Sequence, residues 1–257
     1  MPTSDQEIQD YSKLIDAICE SKTRRAIALI ERGAPRFDPA PEPSAHRYTA
    51  LAFAAYCGQL EVLNYLLVNV EETPEEVASA FMDAMSSGHT ECAGRLHEAG
   101  ASLDCGALQN AASGNHAAAC IWFLEKLRPL AQPEAFGMAL QVALESAAQL
   151  NAIDAATALL SAGARADGTK SRPLRCATCK NHHEMVSLLI RHGADIDAFD
   201  LSDAPGLRPS AMSMYAADNP EHAHVRAILD AAQAARQLRA APASHPTTTS
   251  SLAPGRS

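Results

Sequence analysis

RPLRCATCKNHHEMVSLLIRHGADID, residues 172–197, contains two apolar segments on either side of a short polar turn. Leu174 is followed three residues later by a small Ala-Thr pair at 177–178, and Asn181 stands where the chain turns. The second segment has apolar residues at helical spacing and ends in Gly-Ala at 193–194. Because asparagine and glycine tolerate the left-handed backbone of tight turns, the stretch predicts a short helix, a turn and a longer helix.

The same arrangement occurs earlier in the chain. TALAFAAYCGQLEVLNYLL, residues 49–67, also places leucine at its third position and a small pair, here at 54–55, three residues later. Gly58 then stands at the turn, and a second apolar segment follows it. Two copies of one pattern at distant places indicate that the chain is built from repeated units.

Glycine-alanine pairs give the period of these units. They occur at 33–34, 100–101, 163–164 and 193–194. Their separations are 67, 63 and 30 residues, so the first two are about twice the third. Two further units with an eroded pair are therefore expected near Val70 and Leu127. Alignment of the small pairs predicts seven units at spacings of 27 to 39 residues.

A period near 33 residues, with T-P-L-H-x-A in the first helix, is typical of ankyrin repeats. The chain resembles the ankyrin-repeat family over about residues 10–235, most clearly at 45–70 and 168–200, where RPLRCAT takes the place of TPLHLAA. The resemblance implies an all-α solenoid of about six to seven helix-turn-helix units joined by hairpin loops. Each unit has an apolar face that only stacking on a neighbour can bury.

Composition suggests three parts. Residues 1–10 are predicted to be an N-terminal leader, 11–238 the ankyrin-repeat domain, and 239–257 a disordered tail of proline and small polar residues. Three proline-containing connections are longer than the consensus unit needs, and each follows a second helix, so they are expected on the hairpin side. They are residues 34–46, 128–139 and 198–210.

Net charge narrows the class of partner. The formal charge is −9, which argues against binding nucleic acid, since that needs a basic face, and against adhesion to anionic membranes. A basic protein partner fits better.

No stretch approaches the 18 apolar residues of a membrane span, and the N-terminus has no apolar run of signal length. The seven cysteines are scattered without a pairing pattern, so a reducing, cytoplasmic location is expected for an elongated monomer.

CATCKNHH, residues 176–183, has the composition of a metal site. Thiolate and imidazole are ligands that zinc prefers, and C-x-x-C is a common spacing in structural zinc sites. In repeat register, however, Cys176 takes the place of a consensus leucine that points into the stack, and His182 that of the turn histidine. We therefore predict a structural role and no metal or cofactor. A metal site stays the alternative, because Cys179 lies one helical turn from Cys176.

Catalytic motifs are missing from the sequence. There is no G-x-S-x-G, no phosphate-binding glycine loop and no G-x-G-x-x-G, and HHEMVS lacks the second histidine of H-E-x-x-H. Trp122, in the run CIWFL, is predicted to pack in the core. The acidic run EETPEE, residues 71–76, is predicted to be a solvated hairpin segment.

The resemblance to ankyrin repeats implies a concave surface of first helices and hairpin tips that binds another protein. The predicted function is therefore a non-enzymatic protein–protein interaction module. An inhibitor, an immunity protein, an adaptor and a host-directed bacterial effector are all open alternatives at this point. An enzyme whose site is assembled on the repeats is a further alternative.

In ankyrin repeats, the two positions before each turn residue and the residues leading into each TPLH box face the concave groove. The partner-binding residues predicted from this register are Arg47, Tyr48, Tyr56, Cys57, Gln149 and Lys180. The residues leading into the boxes also include His46, Gln141, Lys170 and Ser171. The two tyrosines matter most, because exposed tyrosine is enriched in hot spots and loses little entropy. Packing of Tyr56 along its own helix is the alternative.

Overall fold

A computed structural model describes residues 5–39, 49–196 and 222–240. These residues form thirteen helices and no strand, and Phe37 and Thr49 make an isolated antiparallel bridge. The helices are α1 Asp5–Cys19, α2 Thr23–Glu31, α3 Ala50–Tyr56, α4 Leu60–Asn69, α5 Pro74–Ser86, α6 Thr90–Glu98, α7 Cys105–Ser113, α8 Ala117–Leu127, α9 Pro133–Gln149, α10 Ile153–Ser161, α11 Gly168–Cys179, α12 His183–Arg191 and α13 Ala223–Ala240.

Consecutive helices form six helix-turn-helix units, from α1–α2 to α11–α12. Each unit packs on the next one along the chain, as in a solenoid. Helix α13 packs on α12 and so takes the place of the second helix of a seventh unit. The predicted all-α repeat architecture is confirmed. The first helix of the seventh unit, expected around residue 216, lies outside the described residues.

The turn inside each of the six units contains one residue in the left-handed conformation. These residues are Ser21, Gly58, Gly88, Asn115, Asn151 and Asn181, with φ between +58° and +77°. The prediction that Asn181 replaces the turn glycine is therefore confirmed. Asparagine is the most frequent of the non-glycine residues here, because its short polar side chain tolerates this backbone region better than other side chains do.

The glycine of each Gly-Ala pair follows a second helix with φ between +82° and +109°. These glycines are Gly33, Gly100, Gly163 and Gly193. Helices α4 and α8 end at Asn69 and Leu127 without such a glycine. This confirms the two units whose Gly-Ala pair was inferred to be eroded.

The apolar core runs between the row of first helices and the row of second helices. The small pairs of the first helices are buried in it, as at Ala54, Ala111 and Ala147. Because alanine is short, neighbouring first helices approach closely, and each packs more tightly on the next than the corresponding second helices do. A stack whose units are closer on one side bends toward that side, so the first-helix side is concave.

Helix α9 corrects one sequence-based prediction. It begins at Pro133, so the connection after α8 ends at residue 132, and the predicted connection over 128–139 is wrong. Pro133 occupies the first helical position, where its fixed φ suits a helix and its missing N–H is not needed. As a result α9 has 17 residues, whereas α7 has nine.

The predicted domain limits differ slightly from the helix ends. Helix α1 begins at Asp5, inside the predicted leader, and α13 continues to Ala240, beyond residue 238. The division of the chain into a leader, a repeat domain and a tail stays a prediction.

The acidic run at 71–76 starts a helix instead of lying in a solvated hairpin. The Thr73 hydroxyl accepts a hydrogen bond from the Glu76 amide, and the Glu76 carboxylate accepts one from the Thr73 amide, which is a complete capping box. Glu72, just before it, is buried, with a side chain only 6% exposed, and pairs with Arg36 at 3.2 Å. Burial raises the pKa of Glu72 to about 7, although the Arg36 charge opposes this shift.

Glu72 is expected to make stability depend on pH. Since its folded pKa of about 7 lies above the ordinary 4.5, its contribution is most favourable below pH 4.5 and is lost as pH rises to 7. Glu72→Gln should remove this dependence and be more stable than the natural chain at pH 8. Thermal melting from pH 4 to 8 measures the effect, with exposed Glu75→Gln as control. A difference between Glu72→Gln and the natural chain that is the same at every pH would contradict the prediction.

Asn115 joins two units through its side chain. Its Oδ1 accepts a hydrogen bond from the Ala155 amide, and its Nδ2 donates to the Asp154 carboxylate, both at 3.0 Å. The turn of the fourth unit therefore caps the first turn of α10 in the fifth. Asn151 has the same backbone conformation, but its buried Oδ1 has no hydrogen-bond partner among the described residues.

Asn115→Gly is expected to lower the free energy of unfolding by about 1 kcal/mol, because the backbone is retained while the cap is lost. Asn115→Ala should cost about 1 kcal/mol more, since alanine is strained at positive φ. Urea denaturation measures both values. Asn151→Gly is the control and should be neutral or stabilising. Equal losses for Asn115→Gly and Asn151→Gly would show that the cap contributes nothing.

Candidate partner-binding face

The concave side of the stack is made of exposed stripes from the first helices, and we call it the first-helix face. Its exposed residues include Ile8, Ser12, Tyr56, Glu75, Ser79, Gln109, Met138, Val142, Gln149, Arg172, Arg175 and Cys179. Within each helix these positions are three, four or seven apart, so they lie on one side of the helix. The stripes lie side by side because the first helices are stacked.

The longest apolar part of this face is on α9. Met138 and Val142 are one turn apart and are 69% and 40% exposed, and Leu150, just after the helix, is 59% exposed. The early start of α9 at Pro133 is what brings Met138 into a helix. Exposed apolar side chains in a row are unfavourable in water and are typical of surfaces that bind a partner.

Tyr56 lies at the C-terminal end of α3 and is 57% exposed. More than half of its surface is therefore accessible to a partner. The next residue, Cys57, is half-buried, and its sulfur lies 3.5 Å from that of Cys19. The backbone under Tyr56 is thereby held against the first unit, while its ring faces solvent.

Charge changes sign along the first-helix face. Helix α1 carries Asp5, Glu7, Asp10 and Asp16 against a single basic residue, Lys13, and α5 carries Glu75, Glu76 and Asp83. At the other end, α11 carries exposed Arg172 and Arg175 and is followed by exposed Lys180. Arg172 pairs with Glu145 of α9 at 3.4 Å. The face is therefore acidic at its N-terminal end, apolar in α9 and basic at α11.

Histidines connect the turns of neighbouring units. A Cβ atom placed on Gly58 would lie 2.6 Å from Nδ1 of His89, and one placed on Gly88 would lie 2.6 Å from Nδ1 of His116. His182 places Nε2 3.1 Å from the Gln149 carbonyl oxygen. Each histidine ring thus lies against the turn of the preceding unit, and these contacts fix the position of each unit relative to the one before it.

The comparisons with known proteins agree with the repeat fold. The family model described as Ankyrin repeat matches residues 172–201. The chain contains an ankyrin repeat and has the ankyrin-repeat fold. The crystal structure of the human ASB11 ankyrin repeat domain is similar, with a TM-score of 0.56 and 20% sequence identity over 79% of this chain and 96% of that one. At this identity the likeness shows the fold alone. No curated protein sequence matches the chain.

Three of the six predicted contact residues of this ankyrin-repeat protein are exposed: Tyr56, Gln149 and Lys180. Cys57 is half-buried against Cys19, so only part of its side chain reaches the surface. The remaining two, Arg47 and Tyr48, lie outside the described residues, as does His46. All six stay predictions as partner contacts.

Two residues predicted to lead into the first-helix boxes lie elsewhere in the ankyrin fold. Gln141 is inside α9 and is half-buried against the start of α11 at Gly168. Ser171 is only 1% exposed, and its hydroxyl accepts a hydrogen bond from the Asp195 amide at 3.0 Å. Ser171 therefore holds a hairpin segment in place and does not line the groove.

The CATCKNHH segment does not gather its four potential ligands. Cys176 is half-buried and Cys179 is exposed on α11, while His182 is engaged with the Gln149 carbonyl and exposed His183 packs edge-on against His224, at 5.2 Å between ring centroids. Over the described ranges, no group of three or more His, Cys, Asp and Glu side chains is placed to hold a metal ion. That the protein binds no metal stays a prediction.

The sequence-based set of contacts misses the apolar stripe of α9. The predicted connection over 128–139 includes Met138, and Val142 falls in no predicted site, because Pro133 is equally typical of a loop. Proline is also common at the first residue of a helix, and this preference could have revealed the stripe from the sequence.

Trp122 packs as predicted. It is partly buried against the core, with its ring 6.2 Å from that of Phe81.

None of the helices in the described part of the chain is both long and apolar enough to cross a bilayer.

Proposed function

We propose that this ankyrin-repeat protein binds a partner protein through the first-helix face and acts without catalysing a reaction. Ankyrin repeats generally mediate protein–protein interaction. The observation that carries the proposal is the exposed apolar stripe of Met138 and Val142, continued by Leu150 at the end of α9. Tyr56 adds an exposed aromatic side chain on the same concave side.

The opposite, second-helix face has no comparable row of exposed apolar side chains among the described residues. Its exposed apolar side chains include Val68 on α4 and Ile121 on α8, which lie on helices that are not neighbours in the stack. Scattered single apolar residues are normal on a protein surface, whereas aligned ones are typical of interfaces. The first-helix face is therefore the better candidate.

The charge distribution supports a partner with a basic surface. The carboxylates of α1 and α5 give the N-terminal half of the first-helix face an acidic character. A basic partner surface placed there is attracted, while the arginines of α11 repel the same surface at the other end. The partner is thus oriented along the stack, with an apolar segment over α9 and its basic region toward α1.

A non-enzymatic role is supported by how the histidines are used. Histidine is the most frequent general base, but the rings of His89 and His116 pack against turn glycines, and His182 contacts a carbonyl. We further propose a cytoplasmic monomer, since the seven cysteines are all free thiols, which suits a reducing compartment. Inhibitors, immunity proteins, adaptors and effectors all act by binding a partner protein, and the identity of the partner distinguishes them.

The test places the same disruptive residue on each face. The partner is first captured on the immobilised full chain, and the purified pair must bind saturably at one to one in calorimetry. Val142→Arg, on the first-helix face, should then abolish binding, while Ile121→Arg, on the second-helix face, should leave it unchanged. The two sites are matched in exposure, 40% and 47%. Loss of binding in Ile121→Arg alone would move the interface to the second-helix face.

A further inference from the structure

Two cysteines from different units meet at the N-terminal end of the stack. Cys19 is the last residue of α1, and Cys57 directly follows α3. Their sulfur atoms are 3.5 Å apart, and the Cys57 thiol donates a hydrogen bond to Cys19 Sγ. The two residues are 38 positions apart in the sequence, so only the stacking of the first two units brings them together.

A second contact holds the two thiols in place. Gln59 Nε2 donates to Ser21 Oγ at 2.8 Å, and the same nitrogen lies 3.3 Å from the Cys57 carbonyl oxygen. Since Ser21 and Gln59 each lie two residues beyond their cysteine, the two turns are tied together beside the sulfurs. A disulfide has an S–S distance of about 2.05 Å, so the two sulfurs, now 3.5 Å apart, must approach by about 1.5 Å to form the bond.

The first unit is weakly attached to the second. The connection between α2 and α3, residues 32–49, has 18 residues, whereas the next four connections between units have four to six. Helices α1 and α3 also pack less closely than any other pair of neighbouring first helices in the described stack. A terminal unit with a long connection and a small interface is the first to open in a repeat protein.

We propose that Cys19 and Cys57 are a site of reversible oxidation, and that their disulfide clamps the first unit onto the second. With hydrogen peroxide as oxidant, the exposed Cys19 sulfur attacks one peroxide oxygen, the O–O bond breaks, and a sulfenic acid and one water are formed. The Cys57 sulfur then attacks the Cys19 sulfur, the S–S bond forms, the S–O bond breaks, and a second water leaves. A dithiol reductant returns both thiols.

The two cysteines have different parts in this reaction. Cys19 is exposed and meets the oxidant first. Burial and the hydrogen bond to Cys19 raise the pKa of Cys57 to about 11, so Cys57 is not readily oxidised by itself. Cys92 and Cys120 are buried, 1% and 0% exposed, and are protected from solvent oxidants.

Mass spectrometry tests the site directly. The reduced full chain is treated with hydrogen peroxide, and the intact mass should fall by about 2 Da, with a peptide cross-linked between Cys19 and Cys57. Cys19→Ser and Cys57→Ser should each abolish this peptide and the mass loss, and a dithiol should reverse both in the natural chain. Cys179→Ser and Cys105→Ser are controls that should still form it. Absence of the cross-link from the natural chain, or a mass loss that persists in Cys57→Ser, overturns the proposal.

Hydrogen exchange tests the clamp. Amides of α1 and α2 should exchange at least about tenfold more slowly in the oxidised chain than in the reduced one, while those of α10 and α12 should not change. Circular dichroism of Cys19→Ser and Cys57→Ser confirms that these variants remain folded. A disulfide that forms without slowing exchange in α1 and α2 would refute the clamp, although the oxidation site would stand.

Discussion

Gly88→Ala is expected to lower the free energy of unfolding by about 3 kcal/mol, because two costs add at this position. Gly88 has φ of +77°, where an L side chain alone costs about 1 to 2 kcal/mol. The added Cβ would also lie 2.6 Å from Nδ1 and 2.7 Å from Cγ of His116. Moving His116 away is hindered, since its ring also lies against Gly114.

Gly33→Ala is the matched control. Gly33 has a similar φ, +82°, but no atom of the described residues lies within 4 Å of the position that an added Cβ would take, so only the backbone cost of about 1 kcal/mol remains. Guanidinium denaturation of both variants separates the backbone cost from the clash.

A double-mutant cycle identifies the clashing partner. In a His116→Ala background, Gly88→Ala should cost only about as much as Gly33→Ala does, roughly 1 kcal/mol. If Gly88→Ala costs the same with and without the histidine, then the packing of His116 on the preceding turn does not stabilise the stack.

Tyr56→Ala is expected to weaken binding of the partner by at least about 2 kcal/mol, which is roughly thirtyfold in Kd. Tyr56 is 57% exposed on the concave side, beside the acidic end of the first-helix face. Its ring can be buried by a partner at little entropic cost, since tyrosine has only two side-chain torsions. Stability should change by no more than about 0.5 kcal/mol, because the side chain is largely in solvent.

Tyr65→Ala serves as the tyrosine control. Tyr65 lies on α4, a second helix, where its hydroxyl is 3.4 Å from Glu31, and its removal should leave the Kd unchanged. Calorimetry with the purified partner gives both constants, and melting curves confirm folding. Lys180→Glu tests the basic end of the same face and should strengthen binding of a basic partner, because it replaces a repulsive charge with an attractive one. A normal Kd for Tyr56→Ala together with a weakened one for Tyr65→Ala would reverse the assignment of the faces.

The repeat architecture was predictable because its signals are local. A turn residue needs positive φ, so Gly58, Gly88 and Asn181 mark turns wherever they recur, and the small pairs mark first helices. Local requirements of this kind repeat with the period of the unit, and a single sequence displays them. The exposed stripe of α9 was missed because the local signal there is ambiguous. Pro133 suits both a loop and the first residue of a helix.

The sequence by itself determined the repeated unit, its turns and the acidic balance of the chain, since backbone preference and composition reside in single residues and short segments. Only the tertiary structure decided which residues from different units meet. It placed Cys19 beside Cys57 and His116 on Gly88, and it buried Glu72 beside Arg36. The physical reason is that such contacts depend on how closely adjacent units stack, which is set by the whole buried interface and not by any one segment.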